Sequence, residues 1–105
     1  MLIITEKDIE NRKSSIKAAL NYYTREMQRK HIHSQYEQSF LNGCNSLIKA
    51  LDNIKFALYN LYLLNEDKQK ELIKKTKREI EKVFLASKVH QADLIIEARE
   101  IIRSA

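Results

Sequence analysis

Apolar positions recur along the chain at helical spacing. The clearest run is Phe40, Cys44, Leu47, Leu51, Ile54, Leu58 and Leu61, a 4-3-4-3 alternation that lays one stripe along a helix. Upstream, Ile9, Ile16, Leu20, Tyr23 and Met27 make a narrower stripe. Downstream, Ile73, Ile80, Val83 and Phe84 are followed after a gap by Leu94, Ala98, Ile101 and Ile102. The pattern predicts helices near residues 6–31, 35–64 and 66–103.

The helix starts carry their own signals. Thr5 can cap a helix beginning at Glu6, with Asp8 three positions on as the reciprocal acid and Ile4 and Ile9 placed as a hydrophobic staple. Ser34 and Glu37 form an S-x-x-E capping box for the second helix. Asn65 is the candidate cap of the third, with Glu66 and Asp67 bringing negative charge to its first turn. Connections this short make sequential helices antiparallel neighbours. The fold class expected is all-α, an antiparallel three-helix bundle of long helices in one domain, 1–105.

Two places interrupt the pattern. Asn42-Gly43-Cys44-Asn45-Ser46 is poor in helix formers, yet the stripe crosses it in phase, which favours a continuous helix with a close helix–helix contact at Gly43, a break there being the alternative. The third helix would run about 57 Å against about 39 Å for the first at 1.5 Å per residue. It either protrudes or breaks near Ala86-Ser87-Lys88, where Ser87 could cap a short fourth helix.

Composition narrows the class. With 105 residues, one Gly and no Pro, the chain lacks the turn residues that sheet proteins use. One cysteine, Cys44, excludes a disulfide framework and a Cys-based zinc site. No run of eighteen apolar residues would span a membrane. The start, Met1-Leu2-Ile3-Ile4-Thr5-Glu6, has too short an apolar stretch for a secretory signal. A lone thiol then suits a reducing cytoplasm. Abundant Lys, Ile and Asn beside scarce Gly and Pro is the bias of AT-rich coding, as in many Gram-positive bacteria, their phages and plasmids.

Two features point toward binding. Residues 54–64 are apolar nearly all round, more than a helix flanked by two others needs. Phe56, Tyr59, Tyr62 and Leu63 are the interface candidates, toward a protein partner, a second copy of the chain, or both. The alternative is that this segment is simply the central helix of the core. The second feature is a net charge of +5, concentrated between Lys68 and Lys82. Lys74, Lys75, Lys77 and Arg78 are its densest cluster and would be the contacts if the chain binds nucleic acid. The plainer reading is a solvated lysine-rich face, partly neutralised by Glu6, Asp8 and Glu10 at the start of the first helix.

Catalytic and metal signals are weak. His31 and His33 flank the first connection without further ligands at useful spacing, and two histidines at a helix C-terminus more often complement its dipole. Arg25 and His31 match the R-x5-H spacing of HEPN-type ribonucleases, all-α proteins of about this size. Two residues in a chain with nineteen basic ones are a permissive match, and the family usually carries the motif late in the chain. Paired carboxylates, Gly-rich loops and nucleophile elbows are missing, and there is little irregular backbone to build a pocket from. The expectation is therefore a non-catalytic interaction protein, a regulator or adaptor plausible for a phage or plasmid, with no metal, no cofactor and no small-molecule substrate. Bacteriocin immunity proteins are similar in size class and charge, although no shared motif carries that likeness.

Overall fold

A computed structural model describes residues 4–63 and 66–105, apart from the side chains of Tyr62 and residues 66–69. Among the described residues three helices follow one another: α1 (Glu6–Arg29), α2 (Ser34–Tyr62) and α3 (Glu66–Ser104). They form an all-α three-helix bundle in which every pair of helices is in contact. The bundle measures 58 × 19 × 18 Å. At about 1.5 Å per residue α3 alone accounts for that length.

The start of α1 follows the sequence. The Thr5 hydroxyl accepts from the Asp8 N–H at 3.2 Å, and the Asp8 carboxylate accepts from the Thr5 N–H at 2.8 Å. That bond to the Thr5 backbone is the main reason the Asp8 carboxyl is held below its ordinary pKa. Ile4 and Ile9 are both buried, as a staple requires. Asn65, the expected cap of α3, lies outside the described residues.

The first connection differs from expectation. His31 adopts a left-handed backbone, φ 56°, its N–H donates to the Gln28 carbonyl, and the Ile32 N–H reaches back to the Met27 carbonyl at 3.0 Å. This Schellman turn ends α1 without glycine, and half-buried Ile32 supplies the apolar contact such turns favour. His33, not Ser34, then caps α2, its Nδ1 accepting from the Gln35 N–H at 3.1 Å. Ser34 is already the first helical residue, so its hydroxyl is not the cap. Glu37, the expected capping-box acid, instead accepts from Gln28 Nε2 at 2.6 Å.

The α2 stripe is the spine of the core. All seven of its residues, Phe40 through Leu61, are buried, and Leu51 is fully so. From α1 come Ile9, Ile16, Tyr23 and Met27, with Leu20 only half-buried; the Tyr23 ring meets Phe40 edge-to-face at 5.8 Å. The helix is continuous through Gly43, where a Cβ would stand 2.8 Å from Leu94 Cδ2. The missing side chain is what lets α3 approach there.

The helix α3 is also unbroken. Ser87 does not start a new helix; it is buried within α3 and its hydroxyl donates to the Phe84 carbonyl at 2.6 Å. Val83, expected inside, is exposed, because the core line runs through Ile80, Phe84, Ser87, Gln91 and Ala98 instead. Two members of that line are polar. Gln91 receives a hydrogen bond from Arg12 Nη2 and donates one to Ser15 Oγ at 3.2 Å, tying α3 to α1.

Candidate interaction surface

The relative lengths of the helices decide which surfaces stay open. Contacts of Gln91 with Arg12 and Ser15, and of Arg99 with Tyr23, set α1 alongside α3 at sequence offsets of 79, 76 and 76. Glu6, the first residue of α1, therefore stands level with roughly residue 83 of α3. The earlier part of α3, with Lys74, Lys75, Lys77 and Arg78 all exposed, lies beyond the start of α1.

This register overturns the expectation that Glu6, Asp8 and Glu10 neutralise the α3 lysines. Lys55 of α2 takes Glu10 at 2.8 Å and Glu6 at 3.4 Å, Lys13 takes Asp52 at 2.6 Å, and Asp8 is occupied by its cap. The ammonium beside it holds the Glu10 carboxyl below its ordinary pKa, and the bond to Glu10 raises Lys55 in turn. Glu6 and Glu10 thus serve the α1–α2 contact.

Of the four interface candidates, Phe56, Tyr59 and Leu63 are 66%, 62% and 68% exposed. Their 3-4 spacing puts them on one face of α2. Phe56 and Tyr59 border an open groove completed by Glu6, Asp52, Lys55 and Leu58. The Tyr62 side chain lies outside the described residues.

A further set went unread in the sequence. Leu85, Val89, Ala92 and Ile96 are all exposed, and they follow a 4-3-4 spacing along α3. The signal was present in the spacing, but it forms a second stripe on a helix that already has one, and a search for a single apolar face passes over it.

The groups with chemical potential are quiet. Cys44 is buried in the α2 stripe, and burial pushes its thiol up to about 11, far from a reactive thiolate. His33 spends Nδ1 on the α2 cap rather than on the dipole of α1. Arg25, His31 and His90 are exposed. Among the described residues no group of three or more His, Cys, Asp or Glu could hold a metal ion, and no helix is long and apolar enough to cross a membrane. Arg12, in the α1–α3 contact, has its Nε buried without a hydrogen-bond partner, and desolvation lowers its pKa.

Comparison with known proteins leaves the reading to these surfaces: no family model matches the chain, and no curated protein or solved structure is significantly similar to it.

Proposed function

We propose that the chain is a small non-catalytic interaction protein, a regulator or adaptor of the cytoplasm, that docks a helical face on a protein partner or on a second copy of itself. The observation that carries the reading is the exposure of Phe56, Tyr59 and Leu63 on one face of α2. Aromatic and large aliphatic side chains held in water on a rigid helix are the usual anchors of protein interfaces. Occlusion or bridging is the mechanism such a surface supports: the bundle supplies a stiff edge, and the anchors enter pockets of the partner. Sedimentation equilibrium of the wild type and of Tyr59→Glu at micromolar concentration tests the self-association arm. A concentration-dependent mass lost in Tyr59→Glu supports a homo-oligomer; an invariant 12.4 kDa species leaves only a different partner.

A second reading has an observation of its own. Lys74, Lys77 and Arg78 share one side of α3 beyond the start of α1, and of the acids expected to cancel them Glu6 and Glu10 are engaged with α2 and Asp8 with its own cap. Such a cluster suits phosphate contacts with nucleic acid. Three contacts would make log affinity fall with log salt at a slope of about −3. Lack of retention on DNA or RNA at low salt would remove this reading and leave the first untouched.

A further inference from the structure

The outer face of α3 carries a second exposed apolar strip, which shares no residue with Phe56, Tyr59 and Leu63, and its use goes beyond the reading above. Leu85, Val89, Ala92 and Ile96 fall within an arc of about 60° at 3.6 residues per turn. Leu85, Val89 and Ile96 are 47%, 60% and 53% exposed. The same alternation continues into charge at both ends: Arg78 and Lys82 precede the strip, and Arg99 and Arg103 follow it. We propose that this strip is a docking seam for an acidic amphipathic helix of another protein, laid along α3.

Three physical arguments select that occupant. The first is period and width. A narrow 4-3 stripe is the seam that one helix offers another, whereas a helix lying in a membrane interface needs a broader apolar face. The second is charge. Cations at or beside the seam are Arg78, Lys82, Lys88, Arg99 and Arg103; the acids nearest it are Glu81, Asp93 and Glu100. Lys88 sits over the Phe84 ring at 5.3 Å, and Arg99 donates to the Tyr23 hydroxyl at 2.9 Å, so two of the cations are held in place by the bundle. A partner helix with carboxylates beside its apolar stripe complements this edge.

The third is the comparison with a second copy. Pairing α3 with itself antiparallel about the middle of the strip would set Leu85 against Ile96, Val89 against Ala92 and Arg78 against Arg103, and pairing it parallel would set Arg78 and Arg103 each against itself. Glu81 and Glu100, next to Lys82 and Arg99, offset part of that repulsion, but two copies still bring twice the five cations and three acids to one seam, and an acidic helix matches the edge better. The strip is not a phosphate track, because along its apolar run of about 16 Å Lys88 is the only Lys or Arg beside it between the basic ends.

The test uses a fluorescein-labelled 28-residue peptide with Leu at the a and d positions of its heptads and Glu at e and g. Its control has Lys at e and g. The expected result is saturable binding of the Glu peptide to the full chain, followed by anisotropy and weakened at least tenfold by raised salt, by Val89→Glu or by exchange for the Lys peptide. Val89 is exposed, so the variant should keep the circular dichroism and melting curve of the parent. Failure of the Glu peptide to bind, or equal binding to Val89→Glu, overturns the proposal. So does a dimer of the free chain, or retention on phosphatidylserine vesicles, that Val89→Glu abolishes. Tyr59→Glu should leave peptide binding unchanged, which separates this surface from the α2 face.

Discussion

The helices α2 and α3 both run the length of the core, but they divide polar and apolar residues differently. On α2 the inward line is apolar without exception from Phe40 to Leu61. On α3 the inward line turns polar at Ser87 and Gln91, while at the same level the outward line carries Leu85, Val89, Ala92 and Ile96. Over the turn from Ser87 to Gln91, α3 has hydrogen-bonding groups inside and hydrocarbon in water, with Phe84 and Ala98 restoring an apolar interior on either side. Stability alone would not select such a pattern, because buried polar groups contribute little net free energy and exposed apolar ones contribute none. The core of α2 holds the fold together; the middle of α3 sets its register against α1 and leaves an apolar face toward solvent.

The largest loss of stability should follow damage to α2. Leu51→Ala should cost about 2–5 kcal/mol in denaturant unfolding, since Leu51 is fully buried and truncation leaves a cavity. A variant that unfolds within a few tenths of a kcal/mol of the parent would show that the α2 line is not the spine.

A smaller loss is expected on the α3 side. Gln91→Leu takes the acceptor from Arg12 Nη2, in a guanidinium whose Nε already lacks a partner, and should cost about 1–3 kcal/mol. Adding Arg12→Met removes the stranded donor and should recover most of that loss. If the double variant is no better than the single one, the pairing of Gln91 with Arg12 is not what the site provides.

The smallest effect is in the acid limb of stability. The folded pKa of Asp8 lies below its unfolded value, so its contribution is complete above the ordinary carboxylate range. It drains away as pH falls below about 4, through the lowered folded value. Glu10, held down by Lys55, behaves in the same sense. Asp8→Asn should lower stability at pH 7 and make the decline between about pH 5 and 2 shallower. An acid limb of unchanged slope would mean that the cap does not titrate with folding.

Legibility in the sequence followed the same division. Where polarity and packing agree, as in α2, every core position could be read from spacing alone, and so could the Thr5 cap and the close approach at Gly43. In α3 they disagree. The inward line could not be followed through Ser87 and Gln91, so Ser87 looked like a helix start and Val83 like core. At the first connection, His33 took a capping role usually filled by the neighbouring Ser34, because the Schellman turn at His31 places the imidazole there. The partners of Glu6 and Glu10 depended on helix register, which spacing within one helix does not contain. Of the candidate surface, the α2 anchors were visible as an excess of apolar residues, and the α3 strip was visible only once its other side was known to be full.

Cys44 carries a consequence for observing this protein in motion. Its thiol is enclosed between α2 and its neighbours and kept protonated, so an alkylating reagent in neutral buffer reaches it only when the bundle parts. The rate of modification, compared with that of a free thiol, is then a clock for rare opening events. With a single cysteine in the chain that clock has one hand, and it needs no introduced label.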